Sequence, residues 1–549
     1  MSSARDGLKQ VVDFARPRTV RALAKAGALH PSSSIALAGA LPWLIGRGPS
    51  LGVVTQMNSQ AFGTKTAIHD RNGSISWREL DNRANQAAHA LWNSGLRGND
   101  RVATLLRNGR ECIEVALGAQ KYGIVACPLN TWAKPKELKA TMAASDPGIV
   151  VYDTAHADQV KECVPEDVPL VFVGDERKAI EGSIDYEEWL SDKPQRPPAP
   201  FTRNPGSAKV VIHTSGTTGT PKGAARNASA AGLGALSNLL SVVPYHRSDI
   251  VFCPAPLFHS FGLATFTFAT ALGATMVLPE KFDPEQSLAL IEAHQATAAS
   301  FVPVMIKRIV SLDDDVKKRY DVSSLRIVMA SGSAMGAELR RAAFETFGKT
   351  LYDLYGSTEA GWVAIARPED IESHPNSVGK PVPGIDVAIF DKEGDRLDAG
   401  ETGEIYVKSE VLFEGYTSGD AKDERDGYMS IGDLGHLDPD GYLYIEGRAD
   451  DMVVVGGENI YPIEIEQVIE GIPGVDEVTV MGVPDEEYGE VLAAFVVGSV
   501  TPAKVKETCK KELASYKVPK RVEIIKELPR TSTGKVVKRE LVEIAEDNA

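Results

Sequence analysis

The spacing of apolar residues in the first half of the chain predicts helices that alternate with buried strands. Apolar positions recur every three or four residues between Arg78 and Leu96, which predicts a helix there. Nearly continuous apolar runs at 101–106 and 123–130 predict two strands, and a second helix ending at Tyr122 separates them. This order of strand, helix and strand predicts a parallel sheet covered by helices.

The pattern changes after residue 381, where short extended runs predict a small β-subdomain. The predicted strands are Val387–Phe390, Gly403–Val407 and Ile431–Leu437. Asp438-Pro439-Asp440-Gly441 is a strong turn signal, and a hairpin closed there places Asp433 nearly opposite Arg448. A carboxylate and a guanidinium at the base of a hairpin form either a cross-strand ion pair or part of a site.

The last hundred residues predict a separate small α+β unit. It contains a helix at 462–471, a strand at 475–482 and a charged helix from Val536. Earlier in the chain, five prolines between Pro194 and Pro205 predict a semi-rigid connector that follows the first parallel sheet.

Size and charge narrow the class of protein. A chain of 549 residues is long enough for several domains, and its net charge of −16 argues against a surface that coats nucleic acid. The five cysteines are odd in number and lack the spacing of a metal knuckle, which favours a reducing compartment. No apolar run reaches the roughly 20 residues that span a bilayer, so we expect a cytoplasmic protein.

The N-terminal arm combines basic and apolar stretches. Two acids, Asp6 and Asp13, stand in its first 25 residues against six basic residues: Arg5, Lys9, Arg16, Arg18, Arg21 and Lys25. An apolar run from Ile35 to Gly46 follows. We favour an arm that packs on the globule; peripheral contact with a membrane surface and an organelle address are the alternatives.

Residues 213–223 contain the chemistry that stands out most. They include five hydroxyl side chains, three glycines and one lysine, directly after the apolar stretch Val210–Ile212. Glycines let backbone N–H groups approach an anion, hydroxyls add donors, and lysine adds positive charge, so the loop suits a polyphosphate. A Walker A loop is disfavoured, because Pro221-Lys222-Gly223 stands where Gly-Lys-Ser/Thr is required. A flexible linker is the plain alternative.

This loop resembles the signature loop of the adenylate-forming superfamily, which includes acyl-CoA synthetases, aryl-CoA ligases, peptide-synthetase adenylation domains and beetle luciferases. The resemblance covers about 500 of the 549 residues. Further matching motifs follow in the family's order: Pro256–Gly262, Ala330–Ala334, Tyr352–Glu359, Gly432-Asp433 with Arg448, Gly456–Pro462 and Leu528–Lys535. Ala330 and Ser331 stand where the family often has glycine, and Ile431 stands where threonine is usual.

The resemblance implies a nucleotide site on the N-terminal part. The residues expected to cradle the phosphates are Thr214, Ser215, Gly216, Thr217, Thr218, Gly219 and Lys222. Those expected around the adenine are Gly332, Ser333, Tyr355, Gly356 and Ser357, with Tyr355 stacked on the base. Thr358 would donate to the α-phosphate, and Glu359 would hold Mg²⁺. Asp433 would accept from the ribose hydroxyls, and Arg448 would contact the ribose or a phosphate.

The resemblance also implies an acyl site, a coenzyme A channel and a hinge. His259 would lie near the substrate carboxylate, with Phe261, Gly262 and Ala330 forming the acyl pocket. Gly456 and Gly457 would line the coenzyme A channel. The expected domains are 1–449, which binds ATP and acid, and a mobile lid, 450–549, hinged at Asp450. Lys535 on the lid would stabilise charge during catalysis.

The expected fold class is α/β, with two βαβ-type parallel-sheet subdomains, a small β-subdomain and the α+β lid. The expected activity is that of an acyl-CoA synthetase using ATP, Mg²⁺ and coenzyme A, with a medium- to long-chain fatty acid as substrate. Alternatives are an aryl-CoA ligase, a stand-alone acyl-adenylating enzyme, a luciferase-like oxidase and a silent nucleotide binder. A homodimer is compatible with the sequence.

Overall fold

The computed structural model describes residues 17–28, 30–47, 50–133, 135–199, 209–214, 222–227, 231–357, 360–409, 423–448, 453–455, 458–460, 462–485, 489–513, 515–530 and 536–547.

A seven-stranded sheet contains the first predicted βαβ units. Its strands, in spatial order, are Ile184–Asp185, Leu170–Val173, Ile149–Asp153, Arg101–Leu105, Val125–Pro128, Lys209–Thr214 and Lys222–Asn227. All neighbours are parallel except the last pair, so the predicted parallel sheet is confirmed. The strand predicted from 123 begins only at Val125, because Gly123 adopts a left-handed conformation (φ 70°) that ends the preceding helix.

A nine-stranded sheet forms the second large layer. Its strands, in spatial order, are Lys380–Pro381, Gly361–Ala366, Leu351–Ser357, Ile327–Ser331, Ala298–Phe301, Ile250–Phe252, Thr275–Val277, Thr66–Asp70 and Gly73–Ser76. The six strands in the middle are parallel, and antiparallel strands flank them on both sides.

Helices cover both sheets and lie between them. The helices of this part are Pro17–Lys25, Pro31–Arg47, Leu51–Phe62, Trp77–Asn93, Arg110–Tyr122, Pro135–Ser145, Ala157–Cys163, Tyr186–Ser191, Ala231–Val242, Ser260–Leu272, Pro284–His294, Pro303–Val310, Asp314–Lys317, Ala337–Phe347 and Pro368–Ser373. Helix Trp77–Asn93 begins at a capping box formed by Ser76 and Glu79. It places Leu80 in the core of the nine-stranded sheet and Leu91 in that of the seven-stranded sheet.

The β-subdomain follows the predicted pattern. Its strands are Ile385–Phe390, Gly403–Ser409, Glu424–Arg425, Tyr428–Leu437 and Leu443–Arg448, and all neighbours are antiparallel. Val387, Ile405, Ile431 and Leu443 form its core together with Val363 from the edge of the nine-stranded sheet. This shared core joins the subdomain to the large sheet.

The C-terminal part contains a three-stranded sheet of Val475–Asp485, Gly489–Gly498 and Arg521–Ile525. A short hairpin, Val453–Val455 and Glu458–Ile460, precedes it. Its helices are Pro462–Glu470, Pro502–Glu512 and Lys538–Asp547. The predicted helix at 462–471, strand at 475–482 and charged terminal helix are therefore all present.

The described part of the N-terminal arm packs on the globule. Ala22, Leu23 and Ala26 are buried in the core that also contains Leu236 and Leu239 of a later helix. Helix Pro31–Arg47 lies against helix Leu51–Phe62. Among the described residues, none of the helices is both long and apolar enough to cross a bilayer.

Candidate active site

Three residues from separate segments meet where the nine-stranded sheet joins the β-subdomain. The hydroxyl of Tyr355 donates to Asp433 Oδ2 at 2.5 Å. Arg448 Nη1 lies 3.3 Å from the other carboxylate oxygen, Oδ1. The sequence predicted Asp433 and Arg448 to be opposite each other, and the strand register pairs them directly. The structure adds Tyr355, whose strand is about 80 residues earlier in the chain.

The turn between the two strands sets the pairing of the residues nearest to it. The backbone N–H groups of Asp440 and Tyr442 donate to Asp438 Oδ1 at 3.0 and 2.8 Å. Gly441 has φ 81°, a left-handed conformation that favours glycine. The aspartate and the glycine therefore close a tight hairpin. A one-residue register shift between Leu434 and Gly435 then brings Arg448 opposite Asp433.

The environment of Tyr355 keeps its hydroxyl protonated. Burial raises the pKa of Tyr355 well above its usual value, and the neighbouring Asp433 carboxylate raises it further. The phenol is therefore neutral and a hydrogen-bond donor at neutral pH, so no second negative charge stands beside Asp433. Asp433 is largely buried and Arg448 is nearly half exposed, so the guanidinium can reach an added ligand.

The strand that carries Tyr355 is anchored on both sides. Ser331 Oγ donates to the carbonyl of Leu354 at 2.9 Å. On the helix that precedes the strand, Arg340 Nη2 binds Asp353 Oδ2 at 2.5 Å, and Arg340 Nη1 donates to the carbonyl of Pro375 at 2.7 Å. Both members of this ion pair are buried. The anchors hold the Tyr355 backbone in place.

The other residues predicted around adenine follow these strands. Gly332 comes directly after strand Ile327–Ser331 with φ 106°, and Ser333 beside it is exposed. A Cβ at Gly356 would come within 1.9 Å of the Gly361 carbonyl oxygen, so only glycine fits this bulged pairing. Ser357 Oγ accepts from the N–H of Ala360 at 3.0 Å. These residues line one end of the sheet near Tyr355.

An aromatic cluster surrounds His259, the residue predicted to lie near the carboxylate. The His259 ring is 4.5 Å from that of Phe258 and 6.3 Å from that of Trp132, measured between centroids. Trp132 also stands edge-on to Phe258 at 5.4 Å, and it is 52% exposed. Trp132 packs against aromatic rings and is also exposed, so its indole ring can provide an apolar wall for a ligand.

Asn108 positions the loop that leads to His259. Its Nδ2 donates to the carbonyl of Ala255 at 3.1 Å, and its Oδ1 accepts from the N–H of Leu257 at 3.0 Å. Both polar ends of a buried side chain are thus used on one loop. Asn108 therefore has a structural role in this loop.

Two of the predicted acyl-pocket residues pack in different cores. Phe261 is partly buried against the core that contains Leu257 and Phe266, and Ala330 is buried in the core that contains Phe301 and Met335. A Cβ at Gly262 would lie 2.2 Å from the Pro256 carbonyl oxygen. Close packing of the helix start on the preceding loop therefore accounts for glycine at 262.

A narrow apolar cavity lies behind the aromatic cluster, between strand ends and two helices. Its lining is almost entirely apolar and includes Leu257, Phe258, Leu263, Phe266, Ala116 and Leu129. Trp132 and this cavity were not identified from the sequence. The signal available was an aromatic residue just after the Pro128-Leu129-Asn130 segment, at the carboxyl end of a parallel strand.

Several predicted site residues lie outside the described part of the chain. They are Ser215, Gly216, Thr217, Thr218, Gly219, Thr358, Glu359, Asp450, Gly456, Gly457 and Lys535. Thr214 and Lys222 are paired directly across antiparallel strands, so the predicted phosphate loop connects two neighbouring strands.

Magnesium was expected at Glu359. Carboxylate oxygens suit this cation, and the phosphate oxygens of ATP would supply further ligands. In the part of the chain that the structure describes, no group of three or more His, Cys, Asp or Glu side chains could hold a metal ion.

The chain is similar to known proteins in both sequence and fold. The profile of the family described as AMP-binding enzyme matches residues 55–417, and that of the AMP-binding enzyme C-terminal domain matches 464–535. The long-chain-fatty-acid–CoA ligase FadD13 of Mycobacterium tuberculosis is 31% identical over 85% of this chain and 93% of its own length.

Two further similarities involve aryl substrates. The indoleacetate–CoA ligase of Aromatoleum aromaticum is 32% identical over 86% of this chain and 94% of its own length. The crystal structure of the anthranilate CoA ligase AuaEII in complex with anthranoyl-AMP superposes with a TM-score of 0.81. That superposition covers 90% of this chain and 97% of the other, at 27% identity.

Proposed function

Because this chain belongs to the AMP-binding enzyme family and is an ATP-dependent acyl-adenylating ligase, we propose that it is a fatty acyl-CoA synthetase. Its acid would be a medium- or long-chain fatty acid, and its acceptor coenzyme A. The observation that carries the proposal is the contact of Tyr355, Asp433 and Arg448 at one end of a parallel sheet, with an apolar aromatic wall around His259.

The nucleotide end of the site has the chemistry that AMP requires. Asp433 can accept from two vicinal ribose hydroxyls, while Arg448 can bind a ribose oxygen or a phosphate. The Tyr355 ring presents a face for an adenine base, and its hydroxyl holds the Asp433 carboxylate in position. The superfamily resemblance assigns the three ligand contacts to these residues, and the contact between the Tyr355 hydroxyl and Asp433 is added by the structure.

The acyl end is apolar and aromatic. Phe258 and Trp132 flank His259, and the narrow cavity beyond Phe258 is lined by aliphatic side chains. We place the carboxylate at His259 and the apolar tail against Trp132 and Phe258. An aliphatic tail suits this wall because its burial needs no polar partner.

The proposed reaction has two steps. The substrate carboxylate attacks the α-phosphorus of ATP and expels pyrophosphate; the coenzyme A thiol then attacks the acyl carbonyl and expels AMP. In the first step negative charge accumulates on the phosphoryl oxygens. Lys535, Thr358, the phosphate loop and Mg²⁺ on Glu359 would stabilise it, each group contributing roughly 3–4 kcal/mol when preorganised.

The second step needs a different arrangement of the same chain. In our proposal the domain from 450 onward rotates about Asp450, withdraws Lys535, and lets the thiol enter past Gly456 and Gly457. Because glycine has no side chain, both residues would leave the channel open for the thiol. No covalent enzyme intermediate is required.

An aryl acid is the second candidate, and similarity to indoleacetate and anthranilate ligases favours it as much as FadD13 favours a fatty acid. Pyrophosphate release should therefore be measured with straight-chain acids of graded length and with aryl acids. We expect kcat/KM to rise with chain length, and thioester to form when coenzyme A is added. Highest efficiency with an aryl acid would refute the fatty-acid assignment, and absence of thioester would refute the acceptor.

Trp132→Ala tests the location of the acyl tail. Loss of one aromatic contact of about 1 kcal/mol should raise the KM for the preferred acid about fivefold and leave the KM for ATP unchanged. Trp132→Phe, which keeps an apolar ring, should retain most of the affinity. Equal KM values for the acid in all three proteins would place the tail elsewhere.

A further inference from the structure

Helix Pro31–Arg47 presents an apolar face to solvent. Pro31, Ile35, Ala38 and Pro42 recur at intervals of four, three and four residues and are all exposed, so they form one stripe along the helix. Ile35 is 77% exposed, the largest value among the exposed large hydrophobic side chains of the described residues. The opposite side is buried through Ala36 and Ala40.

This helix lies in a stretch of the chain with unusual charge. Residues 14–69 contain six lysines and arginines and neither aspartate nor glutamate, although the whole chain has a net charge of −16. Arg21 and Lys25, on the helix just before the apolar one, are exposed. Two exposed cations thus come shortly before the apolar helix in the sequence of a protein that is otherwise strongly acidic.

The arm also lies outside the residues that the family profile matches. The AMP-binding enzyme profile begins at residue 55, after both helices. The family match therefore assigns no role to the exposed apolar face of helix Pro31–Arg47.

We propose that this arm docks the enzyme on an anionic lipid bilayer. The apolar stripe of helix Pro31–Arg47 lies in the headgroup boundary, parallel to the membrane plane, and Arg21 and Lys25 contact anionic headgroups. A helix of 17 residues is about 25 Å long, which suits a segment that lies on a membrane. The negative charge of the remaining surface keeps the globule from binding the same bilayer non-specifically, so the arm sets the orientation.

Vesicle flotation tests the apolar contact and the charge attraction separately. Wild-type protein is mixed with phosphatidylcholine vesicles and with vesicles containing phosphatidylglycerol. We expect binding to the anionic vesicles only, weakened by added salt because the headgroup attraction is screened. Ile35→Glu should lower the partition coefficient about tenfold, and so should Arg21→Glu combined with Lys25→Glu.

Matched controls exclude general effects of added charge. Ile184→Glu places the same change at an isoleucine that is 45% exposed, and Lys510→Glu with Lys511→Glu makes the same charge reversal on exposed lysines elsewhere. These variants should bind vesicles like wild type. All variants should keep the wild-type rate of pyrophosphate release with a dissolved acid, which shows that they fold.

A probe at residue 35 reports insertion directly. The five native cysteines are suitable background, because four are buried and burial raises the pKa of the fifth, Cys112, to about 12. An environment-sensitive dye on Ile35→Cys should shift to the blue with anionic vesicles, and the same dye on Ile184→Cys should not. Absence of a shift, or equal vesicle binding by all variants, would overturn the proposal. So would a change from dimer to monomer in Ile35→Glu, since the stripe would then be covered by a second copy.

Discussion

Asp433 shows how single residues acquire their role from contacts made across the chain. Its two carboxylate oxygens are held by different partners, Tyr355 on one and Arg448 on the other. The Arg448 contact follows from a local hairpin and was predicted from the turn residues. The Tyr355 contact depends on the packing of a subdomain against a sheet edge, and no local pattern indicates it. Gly262 illustrates the converse: its role was assigned by resemblance, while the structure explains the glycine by backbone packing.

Tyr355→Phe should weaken the use of ATP without unfolding the protein. A hydrogen bond to a charged group contributes about 1.5–3 kcal/mol, so kcat/KM for ATP should fall at least about tenfold in pyrophosphate release. The ring that would stack on adenine is retained. Tyr352→Phe, in the same strand, is the matched control and should behave like wild type. If both variants keep the wild-type efficiency, the Tyr355–Asp433 contact does not support nucleotide binding.

At the scale of the elements, the site depends on the internal geometry of one hairpin, formed by strands Tyr428–Leu437 and Leu443–Arg448. Its register shifts between Leu434 and Gly435, just beyond the Asp433–Arg448 pair. A Cβ at Gly435 would lie 2.1 Å from the carbonyl oxygen of Tyr444. The turn at Gly441, by contrast, has open space for a side chain and only a left-handed backbone. Two glycines in one hairpin therefore serve different purposes.

Gly435→Ala and Gly441→Ala should separate these purposes. Both variants should lose about 1–3 kcal/mol of stability, seen as a lower Tm, because one suffers a clash and the other strains its backbone. Only Gly435→Ala should also raise the KM for ATP, since the strands must move apart beside Asp433 and Arg448. A normal KM for ATP in a destabilised Gly435→Ala would mean that the bulge does not position the pair.

At the scale of the whole molecule, two large sheets share the helices between them, and the β-subdomain shares a core with the second sheet. The C-terminal part has its own core, formed by residues such as Ile465, Val480 and Val505. A separate core is what a unit needs in order to move as a body. The boundary at Asp450 lies outside the described residues and stays a prediction.

Lys535→Ala should divide the two half-reactions. Pyrophosphate release from ATP and acid should fall about 10²–10³-fold, because one preorganised charge at the phosphoryl group is lost. Conversion of supplied acyl-AMP to thioester should continue near the wild-type rate.

Asp450→Pro is the complementary variant, since proline stiffens the backbone at the proposed hinge. It should release pyrophosphate normally and form thioester slowly. Equal loss of both steps in each variant would contradict a moving C-terminal domain.

Local chemistry determined much of this protein in advance. The helix and strand periods, the Asp438–Gly441 turn and the opposed Asp433 and Arg448 follow from residues close together in sequence, where hydrogen bonds and side-chain spacing act directly. The tertiary structure alone decided that Tyr355 reaches Asp433, that Trp132 stands beside His259, and that Phe261 and Ala330 pack in different cores. These contacts join residues tens to more than a hundred positions apart, and their distances depend on how whole layers pack, which no local pattern contains.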